Sequence, residues 1–219
     1  LSLENDQVSS YFGLRTVAFQ GRKFLLNGKP LFQRFVLDQG FYPDGIYTAP
    51  TEEDLIQDIT LSFAAGFNGA RLHEKVFEPR FLYHCDRLGY LVWGEYPNWG
   101  LDHSHPLATE IVLNQWSEAV ERDCNHPATI GWCPFNETWG YHEEKEQNAL
   151  LSSLYKLTKR LDPTRPCIDA SGNFRVLSEV YDIHDYDQNS EKFRQRWDSF
   201  TEKQRANGET IPKDDPFFQ

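Results

Sequence analysis

The chain has 219 residues and carries a formal net charge of -11. That length supports one sizeable core, and the acidity argues against nucleic acid or an anionic membrane as partner, since both select Lys and Arg on one face. No run of eighteen apolar residues occurs, so no transmembrane helix is expected. Aromatic content is 15%, with six Trp, which suits sugar stacking and core packing alike. The sequence begins with Leu and contains no Met, which reads as an excised piece of a longer protein. Cys85, Cys124, Cys133 and Cys167 form no Cys-x-x-Cys pair and have no zinc-site spacing. They read as buried thiols and leave the compartment open.

Residues Leu1 to Ser10 are polar and unpatterned and read as a linker. Thr16 to Gln20 and Phe24 to Leu26 flank a Gly21 turn, which predicts a hairpin. From Leu31 the pattern becomes strand and helix in alternation. Leu31 to Asp38 is the first strand. Thr51 opens a helix with Asp54 placed for a capping box; Leu55, Ile59 and Phe63 share its face, and Gly66 closes it. Phe67 to Leu72 is the second strand. Pro79 sits at a first-turn position, and Phe81, Leu82, Cys85 and Leu88 stripe the next helix up to Gly89. Tyr90 to Trp93 is the third strand. Leu107, Ile111, Val112, Trp116, Ala119 and Val120 mark a helix, and Thr129 to Phe135 is the fourth strand. Leu150, Leu151, Leu154, Leu157 and Leu161 mark another helix, stopped at Asp162-Pro163. Pro166 to Ala170 and Val180 to His184 are the expected fifth and sixth strands. Ser190 to Asn207 has helical spacing, and the tail beyond Gly208 shows no clear element.

Such alternation implies a parallel sheet with crossover helices. A doubly wound sheet and an eight-stranded barrel compete. No Gly-x-Gly-x-x-Gly and no P-loop follow the first strand. Polar residues cluster just after the strands: Asp38, His73, Glu95, Glu137, Asp169 and Tyr186. Barrel enzymes build their sites from those ends, so the barrel is favoured, with about six of its eight strand-helix units present.

The strongest local signal is Gly131-Trp-Cys-Pro-Phe-Asn-Glu-Thr-Trp139. An apolar strand ends in Asn136-Glu137, which puts a carboxyl at the mouth of the sheet among aromatics. Desolvation there raises a carboxyl pKa, as a general acid requires. Taken alone, an Asn-Glu pair reads more readily as a solvated Glu at a loop start.

The longer stretch Asp123-Cys-Asn-His-Pro-Ala-Thr-Ile-Gly-Trp-Cys-Pro-Phe-Asn-Glu137 resembles the acid/base signature of glycoside hydrolase family 2, which includes β-galactosidases, β-glucuronidases and β-mannosidases. Cys124 stands where a basic residue is usual, Gly131 where an apolar one is, and Phe135 where a small one is. Gly66-Phe-Asn-Gly-Ala-Arg-Leu-His73, continued by Asp86-Arg-Leu-Gly-Tyr-Leu-Val-Trp-Gly-Glu95, resembles the family's other signature. One residue separates Arg71 from His73 where two are usual, and the Tyr-Pro that follows is absent. Phe12 to Arg15 and Phe24 to Pro30 resemble the lead-in to the family's barrel. The expected organisation is therefore residues 1–29 as linker and hairpin from a preceding sandwich domain, and 30–219 as a partial (β/α) barrel.

The resemblance implies a retaining, β-galactosidase-like hydrolase that cleaves terminal β-linked sugars with Glu137 as acid/base; no cofactor is expected, and the residues support no dedicated metal site. It implies a nucleophilic Glu on a seventh strand, beyond Gln219, so that the chain alone is expected to be inactive. Asn136 is expected on a sugar hydroxyl. Arg71, His73, Asp38, Glu95, His184 and Tyr186 are expected either to bind sugar or to make structural hydrogen bonds. Trp99 and Trp139 read as a sugar platform or as packing. His103 and His105 read as exposed loop residues, and Glu74 with Glu78 as a solvated charged face. Glu179 precedes the His184-Asp-Tyr186 motif and so lies too early to be the nucleophile; Glu209 and the helical Glu191 and Glu202 suit the part no better. Two rivals stand: a non-catalytic carbohydrate-binding barrel, and a hydrolase pairing Glu137 with Glu179. Six units leave open sheet edges, which invites other domains of the parent chain or a second copy to cover them.

Overall fold

The structure is a computed structural model that describes residues 2–3, 6–7, 9–103, 105–138, 144–172 and 174–206. It divides into two units, Leu1–Tyr181 and Asp182–Gln219.

The first unit begins with two short antiparallel strands, β1 (Ser2–Leu3) and β2 (Asp6–Gln7), inside the stretch read as linker. A meander follows: β3 (Val17–Gln20), β4 (Lys23–Leu26) and β5 (Lys29–Pro30). Asn27 and Gly28 both take positive φ between the last two, as a tight hairpin turn requires.

The parallel sheet has the order β6 (Phe35–Asp38), β7 (Gly69–Leu72), β8 (Leu91–Glu95) and β9 (Thr129–Cys133). Pro134 has no N–H and ends the ladder. The strand resumes as β10 (Phe135–Asn136), paired in parallel with β11 (Ala170–Ser171). The predicted fifth strand is thus reduced to β11 plus a single bridge from Trp132 to Cys167.

Helices α1 (Glu52–Ala64), α2 (Pro79–Leu88), α3 (Pro106–Asp123) and α4 (Glu144–Leu161) alternate with these strands. Their ends follow from local chemistry. Thr51 and Asp54 form the reciprocal capping box of α1. Pro79 occupies the first turn of α2, and Gly89 closes it at φ +74. Most of the expected residues fill the core: Leu55, Ile59, Phe81, Leu82 and Cys85 pack in one cluster, and Val112, Trp116, Val120, Leu150, Leu151 and Leu154 in another, whereas Phe63, Leu88, Leu107 and Ile111 of the same stripes are exposed. All four cysteines are free thiols; Cys85, Cys133 and Cys167 are buried.

The sixth strand expected over Val180 to His184 is not formed as a ladder. The edge it would have used is already taken. Ser178 bridges Ile168 in the antiparallel sense, the Glu179 amide donates to Cys167 O (3.1 Å), and the Cys167 amide donates to the Glu179 carboxylate (2.8 Å). In the second unit, α5 (Ser190–Ala206) is tied to the preceding turn by Arg196, which reaches Asp185 and Asp187 at 2.6 and 2.8 Å.

Candidate active site

The C-terminal ends of β7, β8 and β10 bring Arg71, Glu95 and Asn136 together. Arg71 Nε donates to Glu95 Oε1 at 2.6 Å, and its NH2 donates to Asn136 Oδ1 at 3.0 Å. The Glu95 side chain is 1% exposed. With Oδ1 engaged by Arg71, the group that Asn136 can offer a ligand is its amide NH2, a donor suited to a sugar hydroxyl.

Glu137 follows directly. Its amide donates to Ser171 O at 2.7 Å, and its φ is +48°. A non-glycine residue in that region is strained, and such strain persists where surrounding contacts over-determine the backbone. Here the contacts are a strand on one side and, on the other, a side chain. Asn98, fully buried, accepts from Asn136 N through Oδ1 (2.8 Å) and donates to Asn136 O through Nδ2 (3.0 Å).

The departures from the family pattern have physical reasons in the packing. Gly131 stands opposite Trp93, and Gly94 opposite Trp132. A Cβ at Gly131 would meet the Trp93 ring at 2.5 Å, and one at Gly94 would meet the Trp132 ring at 2.6 Å. Each glycine makes room for the indole across the ladder. Phe135 is fully buried, stacked on His103 (4.9 Å between centroids, 28°) and tilted against Tyr96. His103 is therefore not an exposed loop residue. Burial pushes its pKa down, and its Nε2 faces Asn98 O at 3.3 Å. His105 is exposed and caps α3 by accepting from Leu107 N.

His73 is buried against the same region. Its Nδ1 lies 3.0 Å from Gln39 Nε2, and its ring meets Trp99 edge-on at 5.5 Å. Trp99 is 61% exposed. Asp38 turns inward to accept from Gly40 N (2.8 Å), and burial raises its pKa. Asp169, at a strand end, accepts from the amides of Ala170, Val176 and Leu177 and shapes the following loop.

Glu74 corrects the expectation of a solvated charged face. Its φ is +54°, its Oε2 accepts from Asn98 N (2.8 Å) and Trp99 N (3.0 Å), and its Oε1 is buried without a hydrogen-bond partner. Burial pushes its carboxyl up to about 7. Lys75, which the sequence did not single out, is buried and donates to Gly40 O and Tyr47 O, both at 2.7 Å.

Glu179 bonds the Cys167 end of the segment that holds β11. It engages Cys167 and lies 3.1 Å from Lys159, whereas Glu137 engages Ser171. Four residues separate these partners, which is about 13 Å of strand at about 3.3 Å per residue. His184 and Tyr186 belong to the second unit, where they contact each other at 3.3 Å. Trp139 and Glu209 lie outside the described residues. No group of three or more His, Cys, Asp or Glu that could hold a metal occurs among the described residues.

The family model described as "Glycosyl hydrolases family 2, TIM barrel domain" matches residues 17–210. A β-glucuronidase of Rattus norvegicus is 33% identical over 171 residues, covering 74% of this chain and 26% of that protein. A β-galactosidase of Thermoanaerobacterium thermosulfurigenes is 27% identical over 186 residues, covering 83% of this chain and 25% of that protein. Among solved structures, the β-glucuronidase of Parabacteroides merdae with glycerol in its active site superposes with a TM-score of 0.75 at 24% identity, over 88% of this chain and 26% of that one. The chain thus spans about a quarter of the length of these relatives.

Proposed function

The chain belongs to glycoside hydrolase family 2, and from that premise we propose that it carries the acid/base half of a retaining site for terminal β-linked sugars. Glu137 donates a proton to the leaving oxygen and then, as base, activates the water that releases the covalent glycosyl-enzyme. Asn136 donates to a sugar hydroxyl, and Trp99 offers an exposed aromatic face beside it. The observation that carries this reading is the Asn136-Glu137 turn itself. A carboxylate residue stands in a strained conformation at the C-terminal end of a barrel strand, next to Asn136, which Arg71 holds.

A retaining mechanism needs a second carboxylate about 5 Å from the first. Glu179 engages Cys167 whereas Glu137 engages Ser171, four positions further on and about 13 Å along an extended chain, which argues against Glu179 in that part. We assign the nucleophile to a residue outside these 219, as the resemblance implies.

For the sugar, we favour a neutral galactoside over a glucuronide. A substrate carboxylate calls for a cation. Among the described residues, three near the strand ends make contacts within the chain: Arg71 with Glu95, Lys75 with two carbonyls, and Arg175 with Gly172 O and the Tyr181 ring. The test is a panel of p-nitrophenyl β-glycosides assayed on the protein that carries this domain, with NMR to read the anomer first released. Retention with galactoside preferred supports the proposal. Inversion removes the retaining mechanism, and a preference for glucuronide removes the argument from the cations.

A further inference from the structure

We propose that Asn98 is a positioning residue for Glu137, its carboxamide standing in for a missing strand. The inference rests on the reading of Glu137 as acid/base.

The geometry begins with Pro134. Up to Cys133, the strand pairs with β8 through main-chain bonds, Glu95 opposite Cys133. There β8 ends, and Pro134 breaks the run. Phe135 and Asn136 pair with Ala170 and Ser171 on one side, but among the described residues no strand pairs with them on the other. A peptide so buried must find donors and acceptors. Asn98 supplies one of each, at 2.8 and 3.0 Å, in the pattern of a ladder residue. The peptide that bears Asn136 is therefore bonded on both edges one residue before the φ of +48° at Glu137.

Asn98 is itself anchored at three points. Its N–H is held by Glu74 Oε2 at 2.8 Å, with the Trp99 N–H beside it at 3.0 Å. Its O accepts from Leu101 N (3.2 Å) and faces His103 Nε2 (3.3 Å). His103 stacks on Phe135, closing the loop from residue 96 to 103 over the strand. Glu74 thus reaches the Asn136 peptide through Asn98, and Asn98 holds that peptide by main-chain hydrogen bonds.

A strained turn relaxes when a restraining bond is lost, and the carboxyl at its tip moves with it. A displacement of about 1 Å at a reacting group costs on the order of 10²-fold in rate. The loss should show the signature of proton donation. A phenyl leaving group needs the acid; a 2,4-dinitrophenolate leaves without it.

The experiment measures kcat/KM for phenyl and 2,4-dinitrophenyl β-glycosides in the full-length protein and in Asn98→Asp, Asn98→Ser and Glu137→Gln. Asn98→Asp keeps the shape and the acceptor but replaces the donor to Asn136 O with a repelling oxygen. We expect kcat/KM for phenyl to fall on the order of 10²-fold in Asn98→Asp, with dinitrophenyl within about threefold of wild type, and Asn98→Ser to follow the same split. Equal losses on both substrates, or no loss, overturn the inference. So does unfolding of both variants at assay temperature, which would make Asn98 a residue of the fold alone. Glu137→Gln separates the two readings. If it lacks the split, the acid/base assignment fails; if it shows the split and the Asn98 variants do not, only the positioning role fails.

Discussion

Arg71→Met should destabilise the chain by about 3 kcal/mol, because it strips the main cation from a buried carboxylate. The Glu95 side chain is 1% exposed and that of Arg71 25% exposed, with Nε and Oε1 at 2.6 Å. Taking the charge centres as about 4 Å apart at an effective dielectric of about 20, the attraction is about 4 kcal/mol. Removal of one member of a buried pair costs about 3–5 kcal/mol in general. The lower end applies here, because the Glu74 amide still faces Glu95 Oε2 at 3.4 Å. The double variant Arg71→Met/Glu95→Gln should recover most of the loss, since replacing both charges is often close to neutral. Urea unfolding followed by tryptophan fluorescence gives the three free energies of the cycle, with Trp93, Trp116 and Trp132 buried reporters. A loss below about 1 kcal/mol for Arg71→Met, or a double variant no better than the single one, would refute the reasoning.

Three further outcomes follow from the same packing. Thr51→Ala should cost about 1 kcal/mol by removing the capping box of α1, read as a shift in urea midpoint at constant slope. Gly131→Val should cost about 1–3 kcal/mol, because its side chain must displace the Trp93 ring; Gly131→Val with Trp93→Leu should recover part of it, and an additive pair would contradict the contact. The third concerns pH. The Glu74 carboxyl is held at about 7 in the folded chain against an ordinary 4.5, so the folded state binds the proton more tightly than the unfolded state. Its contribution to stability is present below about 4.5 and is lost as pH rises through about 7. Glu74→Gln should therefore flatten the fall in Tm between pH 5 and 8; an unchanged slope would mean that the carboxyl is not raised.

The parts of the fold set by neighbours in sequence were legible in the residues. Thr51 with Asp54, Pro79 and Gly89 act within one helical turn, and each end formed where expected. The apolar stripes of α1 to α4 report burial at a fixed period, and most of the stripe residues join the core, while Phe63, Leu88, Leu107 and Ile111, towards the helix ends, are exposed. The position of Asn136-Glu137 at a strand end was legible because an apolar run stops there. Asn98 was not, because its partner is 38 residues away and a carboxamide in place of a strand leaves no periodic trace. Pro134 was the available signal: a proline two residues before a buried Asn means that the main-chain ladder has stopped. Glu74 misled because a charged residue after a strand reads as solvated, and only the fold brings the Asn98 and Trp99 amides to it. The sixth strand failed for a similar reason. Val180 to His184 has strand composition, but Ser178 and Glu179 reach the edge of the fifth strand first.

The account stands or falls on Glu137. The direct measurement is kcat/KM for an unactivated aryl β-glycoside in the protein carrying this domain, with Glu137→Gln and Glu179→Gln compared side by side. The account predicts a fall on the order of 10²–10⁴-fold for Glu137→Gln and a rate for Glu179→Gln close to wild type. An unchanged rate for Glu137→Gln, or an equal collapse in Glu179→Gln with the fold intact, would contradict it.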